Sequence, residues 1–197
     1  PAELRRKRTI PMYPLIRLAW HSLRARQMPT LPLGGTHVSH HYCMPWDLDP
    51  WWELNNGRTL TLYDLGRIPL ATRTGLVGML RRHRWGLTVA GVSMRYRKRI
   101  TMFMRFEMRS RLIGMDDRFI YLDQSMWKDG TCLGQGLYRG AVIRKGGMVP
   151  TAELRAAMLH ELGEDTAIPT LPDWVRAWIA AEAERPWPPE STLGAGS

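Results

Sequence analysis

Residues 86–145 constrain the fold most. Four runs of strand-forming residues, GLTVAGVSMRYR, MFMRFEMRSRLIG, RFIYLDQSMWK and TCLGQGLYRGAVIRK, follow one another there with little but turn residues between them. The second alternates most cleanly: Phe103, Arg105, Glu107, Arg109 and Arg111 fall on one face, with Met104, Phe106, Met108 and Leu112 nearly opposite. Met115-Asp116-Asp117 and Asp129-Gly130 supply the turns, so the last three runs pair as an antiparallel meander. The apolar face of such a sheet has to be covered by another element.

The cover lies upstream. Leu62, Leu65, Gly66 and Ile68 share a face that Leu60 and Tyr63 widen, which predicts a helix capped at Asn55 or Asn56 and running to about Ile68, where Pro69 kinks or ends it. A second helical piece carries Leu76, Val77 and Leu80 and ends in Arg81, Arg82, His83 and Arg84. Before both, 36–46 reads as a strand broken near Pro45. Strand, long helix, four strands is an α+β order in which one helix covers one face of a curled antiparallel sheet.

Helices flank this unit. Leu15, Ile16, Ala19, Trp20 and Leu23 recur at helical spacing with Arg17, His21 and Arg24 on the other face, over about 13–27. That helix either packs on the domain or lies as a basic interfacial helix on a membrane or partner. A short helix is expected from about Thr151 to Leu162. Another carries Trp174, Val175, Trp178 and Ile179, ahead of a Pro-rich end. The chain thus divides into a basic amphipathic extension (1–33), a central domain (34–148) and C-terminal helices with a Pro-rich tail (149–197).

Of 28 cations against 18 acids, only 4 are Lys, and the formal charge of +10 favours polyanionic partners without choosing among nucleic acid, an anionic membrane face and a phosphate-bearing small molecule. Cys43 and Cys132 stand far apart with no C-x-x-C, so neither a disulfide framework nor a structural zinc site is expected. No window approaches ~18 uninterrupted apolar residues. Pro11, Pro14 and Arg17 interrupt any signal-peptide core after the basic residues 5–8, and the expected location is cytoplasmic.

The chemistry concentrates in Asp47-Leu48-Asp49-Pro50, between a strand and the start of the long helix. In an extended segment these carboxylates cannot both face one way, so one points inward and the other to solvent or a backbone amide. Free amides at a helix start hold a developing oxyanion, and a nearby carboxylate completes the minimum equipment for adding water, or the carboxylate itself, to a thioester carbonyl. The same residues also make an ordinary loop.

DLDPWWELNNGRTLTLYDLGR, from Asp47 to Arg67, resembles the signature of the hotdog-fold acyl-CoA thioesterases of the 4-hydroxybenzoyl-CoA thioesterase type, and the likeness continues through 92–100 and later strands to about Lys145. The resemblance implies a hotdog fold, a curled antiparallel sheet of about five strands round one long helix. It implies Asp49 as the catalytic carboxylate, nucleophile or base, with a structural Asp that caps or turns the loop as the rival reading. Asn56 becomes the position whose backbone amide polarises the carbonyl, and Asp64, with Asp47 as the lesser candidate, an acidic position that assists catalysis or orders the helix. It implies no cofactor beyond coenzyme A as part of the substrate, and a homodimer or dimer of dimers whose active sites are lined by both chains. Trp52, Glu53 and Leu54 depart from the family pattern, which often has His or Gly there, and Leu60 stands where an aromatic is common. Glu53 either replaces the missing His or is merely solvated.

Within that reading Lys98 and Arg99 contact the phosphates of coenzyme A, and Trp51, Trp52 and Trp127 line an acyl pocket or pack in the core or a subunit contact. Most other arginines on the strands are solvated. His37 and His41 share a strand face without a ligand set beside them and read as ordinary strand histidines, and the glycines at 134, 136 and 140 serve close packing. The expected function is hydrolysis of an acyl-CoA or acyl-carrier thioester. A non-catalytic acyl-CoA-binding protein is the alternative, and a basic nucleic-acid-binding module a more distant one.

Overall fold

The computed structural model describes residues 13–163 and 167–189. One antiparallel sheet holds β1 (His37–Tyr42), β2 (Gly86–Tyr96), β3 (Arg105–Met115), β4 (Ile120–Lys128), β5 (Thr131–Arg144) and the short β6 (Gly147–Met148). Its order is β1-β3-β4-β5-β2, with β6 pairing β5, so β1 and β2 are edges. The expected meander is β3-β4-β5. Asp116 closes its first turn by accepting the amides of Arg118 and Phe119, each at 2.7 Å. Asp129 and Gly130 close the second with φ of 47° and 76°, the left-handed pair that a two-residue hairpin favours.

The helix α2 (Asn56–Arg73) lies in the curl of the sheet. Asn55 caps it, its side-chain oxygen accepting the amides of Gly57 at 2.8 Å and Arg58 at 3.1 Å. Leu62, Tyr63, Leu65 and Leu70 join Phe106, Met108, Leu112, Leu122 and Met126 in the main core. A Cβ on Gly66 would fall 2.4 Å from Ser110 Oγ, so glycine is what lets α2 approach β3 this closely. Gln124, fully buried on β4, fixes the helix in place by donating to the Tyr63 carbonyl (2.8 Å) and Ser110 Oγ (2.7 Å).

Three boundaries differ from expectation. The helix does not stop at Pro69 but runs on to Arg73, because Pro69 and Leu70 are buried and their packing offsets the missing amide. β1 ends at Tyr42 rather than Trp46, since Pro45–Asp47 turns into a single 3-10 turn. β3 begins at Arg105 rather than Met102, because Phe103 takes a left-handed conformation at φ 61°. The two-residue β6 was not foreseen.

The flanking helices pack on both sides. α1 (Leu15–Arg26) lies against α2 and buries Ala25 while Ile16, Trp20 and Leu23 face outward. α3 (Leu76–His83) and α4 (Thr151–Leu162) meet through Glu161, which accepts from Arg82 and His83. α5 (Asp173–Ala183) covers the opposite face of the sheet: Val175, Trp178 and Ile179 pack on Ile113, Tyr121 and Leu137, forming a second, smaller core. The start of the basic extension and part of the Pro-rich tail lie outside the described residues.

Candidate active site

The two acids of the Asp-Leu-Asp segment part company, although Asp47 closes the 3-10 turn rather than standing in an extended segment. Asp47 points inward and is fully buried. Its Oδ1 accepts Arg58 Nη2 at 2.6 Å and Nε at 3.1 Å, and its Oδ2 accepts Arg17 Nη1 at 2.9 Å and the Met44 amide at 3.1 Å. Four donors saturate it, so Asp47 is the clasp that ties α1 and the start of α2 to the 42–55 loop. Nothing in the sequence pattern marks Arg17, on the polar face of its helix, or Arg58 as partners of this acid.

Asp49 turns the loop. Its Oδ1 accepts the amides of Trp51 (2.9 Å) and Glu53 (3.3 Å), its own amide donates to the Glu53 carbonyl (2.8 Å), and Leu48 bridges Leu54. The segment is thus a miniature hairpin that delivers Glu53 and Leu54 to the mouth of a cavity.

That cavity, about 200 Å³, opens at the start of α2. Its lining includes Glu53, Asn56, Thr59, Tyr63, Lys98 and Arg99, with Leu54, Met94, Ile100, Met126 and Leu133 as the apolar wall. Asn56, Thr59 and Tyr63 are at i, i+3 and i+7, so the cavity follows one stripe of the helix. The cap on Asn55 takes the amides of Gly57 and Arg58. Asn56, as the first helical residue, has no intrahelical acceptor for its amide, which leaves an N–H at the positive end of the helix. Glu53 forms an ion pair with Arg99. Tyr63 has its phenol pushed well above the ordinary value, first by burial and then by Tyr138, Cys132, Asp123 and Tyr96, so it stays protonated.

A cavity at a helix start, on a curled antiparallel sheet of this strand order, can be set beside known proteins. The profile of the Thioesterase-like superfamily matches residues 43–179. The chain belongs to the thioesterase-like superfamily. It is similar to a Xenopus laevis protein named THEM6, 34% identical over 110 residues, which span 55% of this chain and 53% of that protein. The chain therefore aligns with about half the length of that relative. Among solved structures it is similar to YbaW, a probable thioesterase from Escherichia coli (TM-score 0.57, 16% identity, 62% of this chain and 96% of that one). It is also similar to a Staphylococcus aureus protein solved in complex with CoA (TM-score 0.54, 9% identity, 74% and 95%). At these identities the structures speak for the hotdog fold alone.

Of the residues singled out in this thioesterase-like chain, the structure brings Asn56, Lys98 and Arg99 together around one cavity. Asp49 is half-buried, adjacent in the hairpin but outside that lining. Trp51 and Trp52, expected at an acyl pocket, are 72% and 69% exposed and stand outside it as well. Asp64 is elsewhere: it pairs with Arg67, accepts Tyr13 Oη at 2.9 Å, and with Arg67, Tyr138, Leu87 and Val89 lines a second cavity of about 240 Å³ beside the start of β2. Burial, then Asp64, raises the Tyr13 phenol to about 12. Sequence reasoning missed Thr59, Tyr63 and Met94 as lining residues, although the i, i+3, i+7 spacing of Asn56, Thr59 and Tyr63 was there to be read. His37 and His41 are buried, and among the described residues no group of three or more His, Cys, Asp or Glu could hold a metal.

Proposed function

We propose that this protein hydrolyses an acyl-CoA thioester, releasing a carboxylate and free coenzyme A, in the cavity at the start of α2. The observation that carries the reading is Asn56, whose amide the Asn55 cap leaves unclaimed, on the lining of a cavity that also holds Lys98, Arg99 and an apolar wall. The thioester oxygen rests on that amide and the helix end, which stabilise the charge that develops on it as the carbonyl becomes tetrahedral. Lys98 and Arg99, both on the lining of that cavity, serve the phosphates of coenzyme A.

The carboxylate in this reading is Asp49, which stands in the hairpin beside the cavity rather than in its lining. Two amides hold its Oδ1, which fixes the side chain and leaves Oδ2 to take a proton from water or to attack the carbonyl carbon. Glu53, neutralised by Arg99, orders the cavity mouth.

The functional unit in this proposal is a dimer. β2 is a free edge with Leu87, Val89, Val92 and Tyr96 exposed. Antiparallel self-pairing about the middle of β2 sets its end, which borders the Asn56 cavity, against the start of the second copy's β2, which borders the cavity of Asp64. The two half-sites then become one, large enough for an acyl group and the CoA arm.

A panel of acyl-CoAs with free-thiol detection tests the reading. The native chain releases thiol, and Asp49→Asn lowers kcat by roughly 10²–10⁴ with its unfolding curve little changed. Equal rates for the two would remove Asp49 from the mechanism. A loss confined to Glu53→Gln would transfer its role to Glu53.

A further inference from the structure

The helix α1 is held on the domain largely by its polar face. Arg17 donates from Nη1 to Asp47 Oδ2 and from Nη2 to the Tyr42 carbonyl, each at 2.9 Å, and His21 lies against His41 with ring centroids 4.3 Å apart. Leu18 and Ala25 complete that inner arc, so the apolar stripe of Leu15, Ile16, Ala19, Trp20 and Leu23 is turned to the other side of the helix. Ile16 is 88% and Trp20 62% exposed, and Leu15 and Leu23 are each more than half exposed. Single exposed apolar residues are ordinary, but four large ones in one stripe mark a surface that something covers. Glutamine at these positions would serve the fold equally well, since the opposite face does the packing.

Charge indicates the cover. From Leu4 to Trp46 the sequence has seven Arg and Lys and no Asp or Glu. Arg24 and Arg26, in the last turn of α1, are exposed, and residues 5–8 add four cations ahead of the helix. A second copy of the chain would bring the same cations to the contact and no acid of this stretch to meet them, so the stripe is a poor self-association surface. An anionic lipid surface supplies both requirements at once, phosphates for the cations and an acyl boundary for the stripe. Trp20 suits the headgroup level, with its apolar ring and its one N–H donor. At 12 residues, about 18 Å long, α1 is too short to cross a bilayer and can only lie along it.

We propose that α1 seats this protein flat on an anionic membrane surface, with Ile16, Trp20 and Leu23 in the boundary between headgroups and acyl chains and Arg24 and Arg26 on the phosphates. Arg17 stays on Asp47, so seating requires no change of fold. The inference stands apart from thioester hydrolysis, and its test contains no thioester.

Flotation with phosphatidylcholine vesicles, with and without about 30% phosphatidylserine, provides that test. The native chain floats with the anionic vesicles at least about tenfold more strongly than with the neutral ones, and about 0.5 M NaCl weakens the binding. The triple variant Ile16→Gln, Trp20→Gln, Leu23→Gln lowers binding to the anionic vesicles by about tenfold or more, with its Tm equal or higher, since glutamine is as good a helix former. Arg24→Gln with Arg26→Gln narrows the gap between the two kinds of vesicle. Absence of binding to the anionic vesicles overturns the proposal, as does equal binding to both kinds or binding that survives the triple variant. A clear fall in the Tm of the triple variant also overturns it, because the stripe is then covered from within the chain. So does a smaller assembly in sedimentation velocity, because the stripe is then a contact between copies.

Discussion

The two ends of α2 are built on opposite terms. At its C-terminal end the polar groups of the last turn are bonded to neighbours: Arg73 Nε donates to the Pro29 carbonyl at 2.9 Å, Thr74 Oγ1 to the Leu70 carbonyl at 3.0 Å, and the Leu31 amide to the Arg73 carbonyl at 3.0 Å. At the N-terminal end there are a free amide, a cavity, an unpartnered phenol, and two exposed aromatic residues, Trp52 and Phe103, held at φ 60° and 61°. One end commits the polar groups of its last turn to the fold, and the other leaves several groups unbonded or strained. Such concentration is what a site leaves behind when its groups are kept ready for something other than the fold.

The sharpest way to break the comparison is at the Asp-Leu-Asp segment, where a residue of each kind lies two positions from the other. Asp47→Asn leaves Arg58 and Arg17 facing a neutral amide in a buried setting, and unfolding free energy falls by about 3–5 kcal/mol. Asp49→Asn keeps the oxygen that accepts the Trp51 and Glu53 amides and costs under about 1 kcal/mol. Urea unfolding of the pair checks this, and equal losses would mean that the two acids do the same job.

A pH series probes the sealed end. Arg73 Nη1 lies 3.1 Å from His37 Nδ1, which must accept the hydrogen bond, so the ring is neutral with its proton on Nε2. Burial first, then Arg73 and His21, lowers its pKa to about 4, and burial with the nearby His21, Arg17, His37 and His40 lowers that of His41 as well. As pH falls below about 6.5 the unfolded chain takes up protons that the folded chain refuses. Stability is therefore full above about 6.5 and declines down to about 4, by roughly 3 kcal/mol for His37 alone. His37→Gln makes that decline shallower in urea titrations between these limits, and an unchanged decline would assign it to other groups.

The same contrast marks what was legible. Alternation in 102–114 and the turn residues at 116 and 129–130 gave away the meander, and the apolar stripe around Leu62 and Leu65 gave away its covering helix, because burial imposes period on a chain. The family signature pointed to the segment beside the cavity and to Asn56, Lys98 and Arg99, which line it. It was silent on which acid is buried, because that depends on Arg17, thirty residues upstream of Asp47 and on another helix. The Trp pair misled for a related reason: large aromatics normally go inside, and here the left-handed backbone at Trp52 turns one of them out. α5 on the outer face of the sheet could not be placed at all, since its apolar stripe says that it is covered but not by what.

The smallest effect separates strain that caps from strain that serves. Arg84 closes α3 at φ 55°, an ordinary helix end where glycine is preferred. Phe103, at φ 61°, follows directly on the Arg99 and Ile100 wall of the cavity, its amide bonded to the Cys43 carbonyl at 2.7 Å. Arg84→Gly and Phe103→Gly each relieve a left-handed backbone and raise unfolding free energy by about 0.5–1 kcal/mol, the lower figure reflecting the extra freedom of glycine in the unfolded chain. Only Phe103→Gly then changes kcat/KM, by a few-fold, because it frees the loop that carries the cavity wall while Arg84 sits beside no part of that cavity. If both substitutions stabilise and neither touches turnover, the left-handed residue beside the cavity is a turn like any other, and the distinction between the two ends of α2 narrows to the cavity itself.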